Sequence, residues 1–181
     1  MTADPIVARK DSARKDLARK DPRLPPPLAV SEGDDWTDAL SLLSPGAAAT
    51  VVAVVRTLCP HDAIPERVYR RTVLHMDRLF AASPAAAQLV AEALDTLDAA
   101  LPLPFRERSE SYRVASLKAI EATPAFTVLQ RAAVRFFYDD VEVWQACGYE
   151  GAVSDIGGFV HRGFDDLDWL PEPAEAAGGE V

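Results

Sequence analysis

The sequence predicts an all-α fold, a single helical domain of about six or seven helices closed by an irregular C-terminal segment rich in glycine and aromatic residues. Three observations carry that prediction. Ser44-Pro45, Ser83-Pro84 and Thr123-Pro124 each set a hydroxyl directly before a proline, the pairing that suits an N-cap followed by the first helical position. Apolar residues then recur at helical spacing after each of these signals. No stretch shows the alternation of a half-buried strand.

Taken in order, residues 1–33 read as a flexible basic tail and proline-rich spacer. Ala8-Arg9-Lys10-Asp11 recurs at Ala13 and at Ala18, a five-residue period that drifts around a helix and leaves no sustained apolar stripe. Within residues 1–23 seven basic side chains face four acidic ones, which fits either an electrostatic arm or a plain solvated extension. Pro25-Pro26-Pro27 then makes a stiff spacer. The domain is expected over 34–171, with a flexible acidic tail at 172–181.

The helix opened by Ser44-Pro45 runs to about Cys59 and carries Val51, Val52, Val54, Val55 and Leu58, apolar nearly all round, so it is expected at the centre. Pro65 starts a second, with Val68, Thr72, His75, Met76, Leu79 and Phe80 along one side. Ser83-Pro84 opens a third over 84–100, with Leu89, Val90, Ala93, Leu94 and Leu97 at helical spacing. Leu101-Pro102-Leu103-Pro104 breaks the chain. A helix over 110–121 with Tyr112, Ala115, Leu117 and Ile120 follows, then one from Pro124 to Tyr138 with Phe126, Leu129, Ala133, Phe136 and Phe137 inward. A short last helix from Asp139 to about Ala146 has an acidic first turn that favours the helix dipole.

Composition excludes several functions. The chain has 181 residues, enough for one domain with a sizeable core. A net charge of −9 argues against general binding to nucleic acid phosphates or anionic membranes. No apolar run is long enough to span a bilayer. The two cysteines, Cys59 and Cys147, lack a CxxC context and are expected as buried thiols. No apolar stretch follows the N-terminal charges and no twin-arginine motif precedes one, so the expected location is cytoplasmic.

The stretch from Trp144 to Pro171 departs from the rest, with five of the nine glycines and two of the three tryptophans. Its glycines are not a phosphate loop, since no strand precedes them and no GK[ST] follows. Asp165, Asp166 and Asp168 lack the frame of a calcium loop. From Asp139 to the end, eleven acidic residues face one basic residue, Arg162. Catalytic, cofactor-binding and metal residues are therefore expected to be absent. The candidate contacts to a partner are Trp144, Tyr149, Glu150, Phe159, His161, Arg162, Phe164, Asp165, Asp166 and Trp169, aromatic anchors within a charged rim. The competing reading folds the same rings back onto the domain's own core. A further alternative is a self-contained homomeric scaffold or regulator, and another is a metal-dependent enzyme using His61, Asp62 and His161.

Two segments resemble the gluconate 2-dehydrogenase subunit 3 family. The first is Leu58-Cys59-Pro60-His61-Asp62-Ala63-Ile64-Pro65 with the helix from Tyr69 to Phe80; the second is Phe136-Phe137-Tyr138-Asp139-Asp140, followed by Trp144, Gly148-Tyr149-Glu150-Gly151 and Gly157-Gly158. The resemblance covers about Ser44 to Pro171. It implies a noncatalytic small subunit that binds and stabilises a large flavoprotein subunit of the glucose-methanol-choline type. In that arrangement FAD and the oxidation of an alcohol or sugar belong to the partner, in a heterodimer or higher hetero-oligomer. Family members often carry a twin-arginine signal, and this chain departs from them there.

Overall fold

A computed structural model describes residues 28–30, 33–149 and 151 of the chain. Among these residues there are six α-helices and no strand: α1 (Pro45–Leu58), α2 (Glu66–Ala81), α3 (Pro84–Ala99), α4 (Glu110–Ile120), α5 (Pro124–Tyr138) and α6 (Val141–Cys147). Two short 3-10 turns, Asp34–Ala39 and Phe105–Glu107, precede α1 and α4. The fold is all-α, as the sequence predicts. Most of the expected tails at 1–33 and 172–181 lies outside the described residues, as does the glycine-rich segment beyond Gly151.

All three Ser/Thr-Pro signals are helix starts. Ser44 Oγ accepts from the Ala47 amide at 3.2 Å, Ser83 Oγ from Ala86 at 3.4 Å and Thr123 Oγ1 from Phe126 at 3.1 Å. Each hydroxyl satisfies a first-turn amide that has no intrahelical acceptor, and proline fills the next position, where its missing N–H costs nothing. Asp140 caps α6 in the same way, accepting from the Glu142 amide at 2.9 Å.

The nearly all-apolar helix is central. α1 packs against α2, α3, α4 and α5 and against the Phe105–Glu107 turn, and Ala48, Val51, Val54 and Val55 are fully buried. α5 lies across α3 and α2, bringing Leu129, Ala133 and Phe137 against Tyr69, Met76 and Phe80 in one continuous core. Phe126 and Phe136 are only half-buried. Burying a ring such as Phe80 or Phe137 stabilises the fold by about 2–3 kcal/mol at 25 cal/mol per Å².

Four expected positions face outward instead. Leu79 sits one step off the Thr72–Met76–Phe80 line and is exposed, and Tyr112 and Ala115 are exposed on α4. Cys147 is also exposed, because α6 buries only Val143. A helix this short presents one side to the core, and its last residue turns away from it. Cys59 is a buried free thiol as expected, and burial pushes its pKa up to about 11.

Polar groups tie the ends of these helices together. Asp77, fully buried on α2, accepts from the amides of Ser41, Leu42 and Leu43 at 2.6, 3.0 and 2.8 Å. The segment entering α1 has no regular structure at these residues, so the carboxylate supplies the acceptors that a helix or ladder would give. Buried Arg108 gathers the α3–α4 connection. Its guanidinium donates to the carbonyls of Leu103, Asp98 and Leu101 and to Ser116 Oγ. Among the described residues no helix is long and apolar enough to cross a membrane.

Candidate functional site

The α1–α2 corner, the end of α5 and α6 meet in one surface region. Pro60 ends α1 and Pro65 starts α2, so residues 59–65 form a tight corner that needs an external anchor for its backbone. Tyr69 supplies it. Its hydroxyl donates to the Cys59 carbonyl at 2.9 Å and accepts from the His61 amide at 3.3 Å. The Arg56 guanidinium lies 4.2 Å from the centroid of the Tyr69 ring and pairs with Glu66.

This anchoring presents His61 to the end of α5. The imidazole stacks on Phe137 with centroids 5.6 Å apart and meets Tyr138 edge-on at 5.7 Å. His61 Nε2 and the Tyr138 hydroxyl are 2.8 Å apart, a hydrogen bond across 77 positions of sequence. Tyr138 in turn accepts the Trp144 indole N–H at its backbone carbonyl. The Trp144 ring packs edge-on against Tyr149 at 5.3 Å.

Glycine is required where the chain leaves α6. Gly148 has φ 72° and Gly151 φ 93°, both in the region that disfavours a Cβ. The turn at Gly148 lets the Tyr149 amide donate to the Trp144 carbonyl at 2.8 Å. At Gly151 a Cβ would stand 3.5 Å from the Trp144 ring, so the backbone runs against the indole face. Tyr138 and Tyr149 nonetheless keep 41% and 47% of their surface exposed, leaving an aromatic ledge with hydroxyls at its rim.

An ion-pair network fixes α6, and with it the ledge. Arg71 on α2 makes a bidentate pair with Asp140, Nε to Oδ2 at 2.6 Å and Nη2 to Oδ1 at 3.0 Å, and also reaches Glu142 at 2.7 Å. Arg67, one turn earlier, holds the other Glu142 oxygen at 2.7 Å. Burial alone would lower the Arg71 pKa, but its hydrogen bonds to Asp140 and Glu142 outweigh burial and raise it. Burial likewise works to raise Glu142, and hydrogen bonds from Arg67 and Arg71 reverse the balance and lower it. His75 stacks on Phe136 at 5.3 Å, and burial, reinforced by the nearby Arg78, lowers its pKa.

Of the sequence-predicted contacts, Trp144 and Tyr149 are brought together here. Glu150, Phe159, His161, Arg162, Phe164, Asp165, Asp166 and Trp169 lie outside the described residues. Among the described residues no cluster of three or more His, Cys, Asp or Glu side chains able to hold a metal includes His61 and Asp62, and His161, the third residue considered with them, lies outside those residues. The roles of Arg71, Asp77, Tyr69 and Tyr138 were not anticipated. A partial signal existed for one of them, because Arg67 and Arg71 lie four apart on α2 while Asp140 and Glu142 open an acidic helix.

Comparison with protein-family models, with curated proteins and with solved structures finds no match.

Proposed function

We propose that this chain is a noncatalytic small subunit that binds and stabilises a flavin-dependent dehydrogenase subunit of the glucose-methanol-choline type. One observation carries the reading: two of the stretches that resemble the subunit 3 family, residues 58–65 and 136–140, meet through the His61–Tyr138 hydrogen bond. The ledge of exposed Tyr138 and Tyr149 against half-buried Trp144 supports the same reading, because amphipathic rings held in place by their neighbours suit the centre of a protein interface. FAD and the oxidation of an alcohol or sugar would reside in the partner. The metal-enzyme alternative gains no support from His61, whose Nε2 is already hydrogen-bonded to Tyr138.

The test is co-expression of the full chain with a flavoprotein encoded beside it. The expected result is a soluble flavoprotein whose yield and dehydrogenase activity fall when the chain is omitted. A flavoprotein equally soluble and active without the chain would overturn the proposal, as would substrate turnover by the isolated chain.

A further inference from the structure

The N-terminal side of the chain enters the domain at the foot of the aromatic ledge. Arg71 donates from Nη1 to the Leu28 carbonyl at 3.4 Å, and from Nη2 to Asp140 at 3.0 Å and Glu142 at 2.7 Å. One guanidinium therefore holds the residue after Pro27 against the first turn of α6. Leu28 and Val30 pack on the core next to it, so the point where residues 1–27 arrive is fixed. Residues 22–27 span at most about 20 Å when extended, and α6, seven residues long, measures about 10 Å. The three Ala-Arg-Lys-Asp repeats over 8–21 are within reach of the whole ledge.

The chemistry of the two matches. Tyr138 and Tyr149 are exposed, and an arginine guanidinium stacks on such rings. Asp139, directly after Tyr138, is exposed and makes no ion pair or side-chain hydrogen bond among the described residues. Arg135, a turn earlier, lies over the Phe136 ring at 5.2 Å, and Arg67 is paired with Glu142, so neither neutralises Asp139. The repeats carry Arg9, Lys10, Arg14, Lys15, Arg19 and Lys20 against Asp11, Asp16 and Asp21, an excess of cations. A short tether gives an effective concentration on the order of millimolar, so contacts too weak to hold a separate peptide suffice here.

We infer that, in the chain without a partner, the ledge of Tyr138 and Tyr149 is occupied by the chain's own residues 8–21, which an incoming partner displaces. This rests on the ledge being a docking surface and adds what covers that surface beforehand. An anionic segment would be repelled by Asp139, and an apolar one would strip water from Asp139 and the tyrosine hydroxyls without replacing their hydrogen bonds.

The experiment is ¹⁹F NMR of the full-length chain labelled with 3-fluorotyrosine, whose four signals come from Tyr69, Tyr112, Tyr138 and Tyr149 and are assigned by single Tyr→Phe variants. Replacing the six basic residues of the repeats by glutamine is expected to move the Tyr138 and Tyr149 signals. Buried Tyr69 and Tyr112, exposed on α4, stay in place as internal controls. Raising NaCl to about 0.5 M should move the Tyr138 and Tyr149 signals of the unaltered chain towards the positions of the variant, because exposed charges are then screened. Tyr138 and Tyr149 signals that ignore the substitutions overturn the inference, and so does an equal shift at Tyr112. Shifts that vanish on about tenfold dilution also overturn it, since a tethered segment is insensitive to concentration and a second copy is not. All readings are taken without a partner, so failure here is told apart from failure to form the flavoprotein complex.

Discussion

Replacing Arg71 by methionine removes the cation that, among the described residues, pairs with Asp140 in the interior. Both side chains are only 6% exposed, so the substitution leaves a carboxylate buried with a single remaining donor of note, the Glu142 amide. Breaking a buried pair from one side costs about 3–5 kcal/mol, far more than the net worth of the pair itself. Set against a domain stability of about 5–15 kcal/mol, that loss is a fifth or more of the total. Two companion variants separate the causes. Arg67→Met removes a cation that is 40% exposed and shares Glu142 with Arg71, and it should cost no more than about 1 kcal/mol. The double variant Arg71→Met/Asp140→Leu removes both charges and should recover most of the loss. Urea unfolding followed by circular dichroism measures all three, and tryptophan fluorescence in a Trp36→Phe/Trp169→Phe background reports in addition on Trp144 at α6. A cost below about 1 kcal/mol for Arg71→Met, or a double variant no more stable than the single, would refute the reasoning that this pair holds α6 in place.

Other variants and conditions follow from the same geometry. Asp77→Ala strands the amides of Ser41, Leu42 and Leu43 and should destabilise by about 3 kcal/mol in the same urea assay, with Asp77→Asn intermediate because it keeps one acceptor oxygen. Stability should fall on acidification in two stages. The lowered pKa of folded His75 means that the unfolded chain takes up its proton first, so that stability is lost as pH drops below about 6.5, and the lowered pKa of Glu142 extends the loss below about 4.5. A stability that rises between pH 7 and pH 5 would contradict this sign. A thiol-titrating reagent at neutral pH should react fast with exposed Cys147 and slowly with buried Cys59, whose pKa is near 11. Cys147→Ser should abolish the fast phase alone.

Helix positions were legible in the sequence because their signals are local. A hydroxyl before proline fixes both the cap and the first dihedral angle, and Ser44, Ser83 and Thr123 all behave accordingly. The all-apolar character of α1 likewise announced its central place. Tyr112, Leu79 and Cys147 were harder, because helical periodicity alone does not say where the partner helices end, and each of these sits at the edge of an apolar face. The site was legible only in part. Trp144, Tyr149, Gly148 and Gly151 stood out as a bendable aromatic stretch, and Gly148 and Gly151 do adopt positive φ. His61 stood out only as half of an adjacent pair with Asp62. Its real partner, Tyr138, lies 77 residues away, and nothing in either neighbourhood points to the other. Asp77 was hidden for the same reason, since a side chain that satisfies distant backbone leaves no period in the sequence, and the Arg71–Asp140 pair left only the four-residue spacing of Arg67 and Arg71.

The claim that this chain is an accessory subunit meets its most direct test in size-exclusion chromatography of the co-expressed proteins, monitored for flavin absorbance. The account predicts that the chain and flavin elute together, and that Tyr138→Ala with Tyr149→Ala separates them while the isolated chain keeps its helical circular dichroism. A chain that elutes alone and free of flavin would contradict it, and so would co-elution unchanged by the loss of both tyrosines.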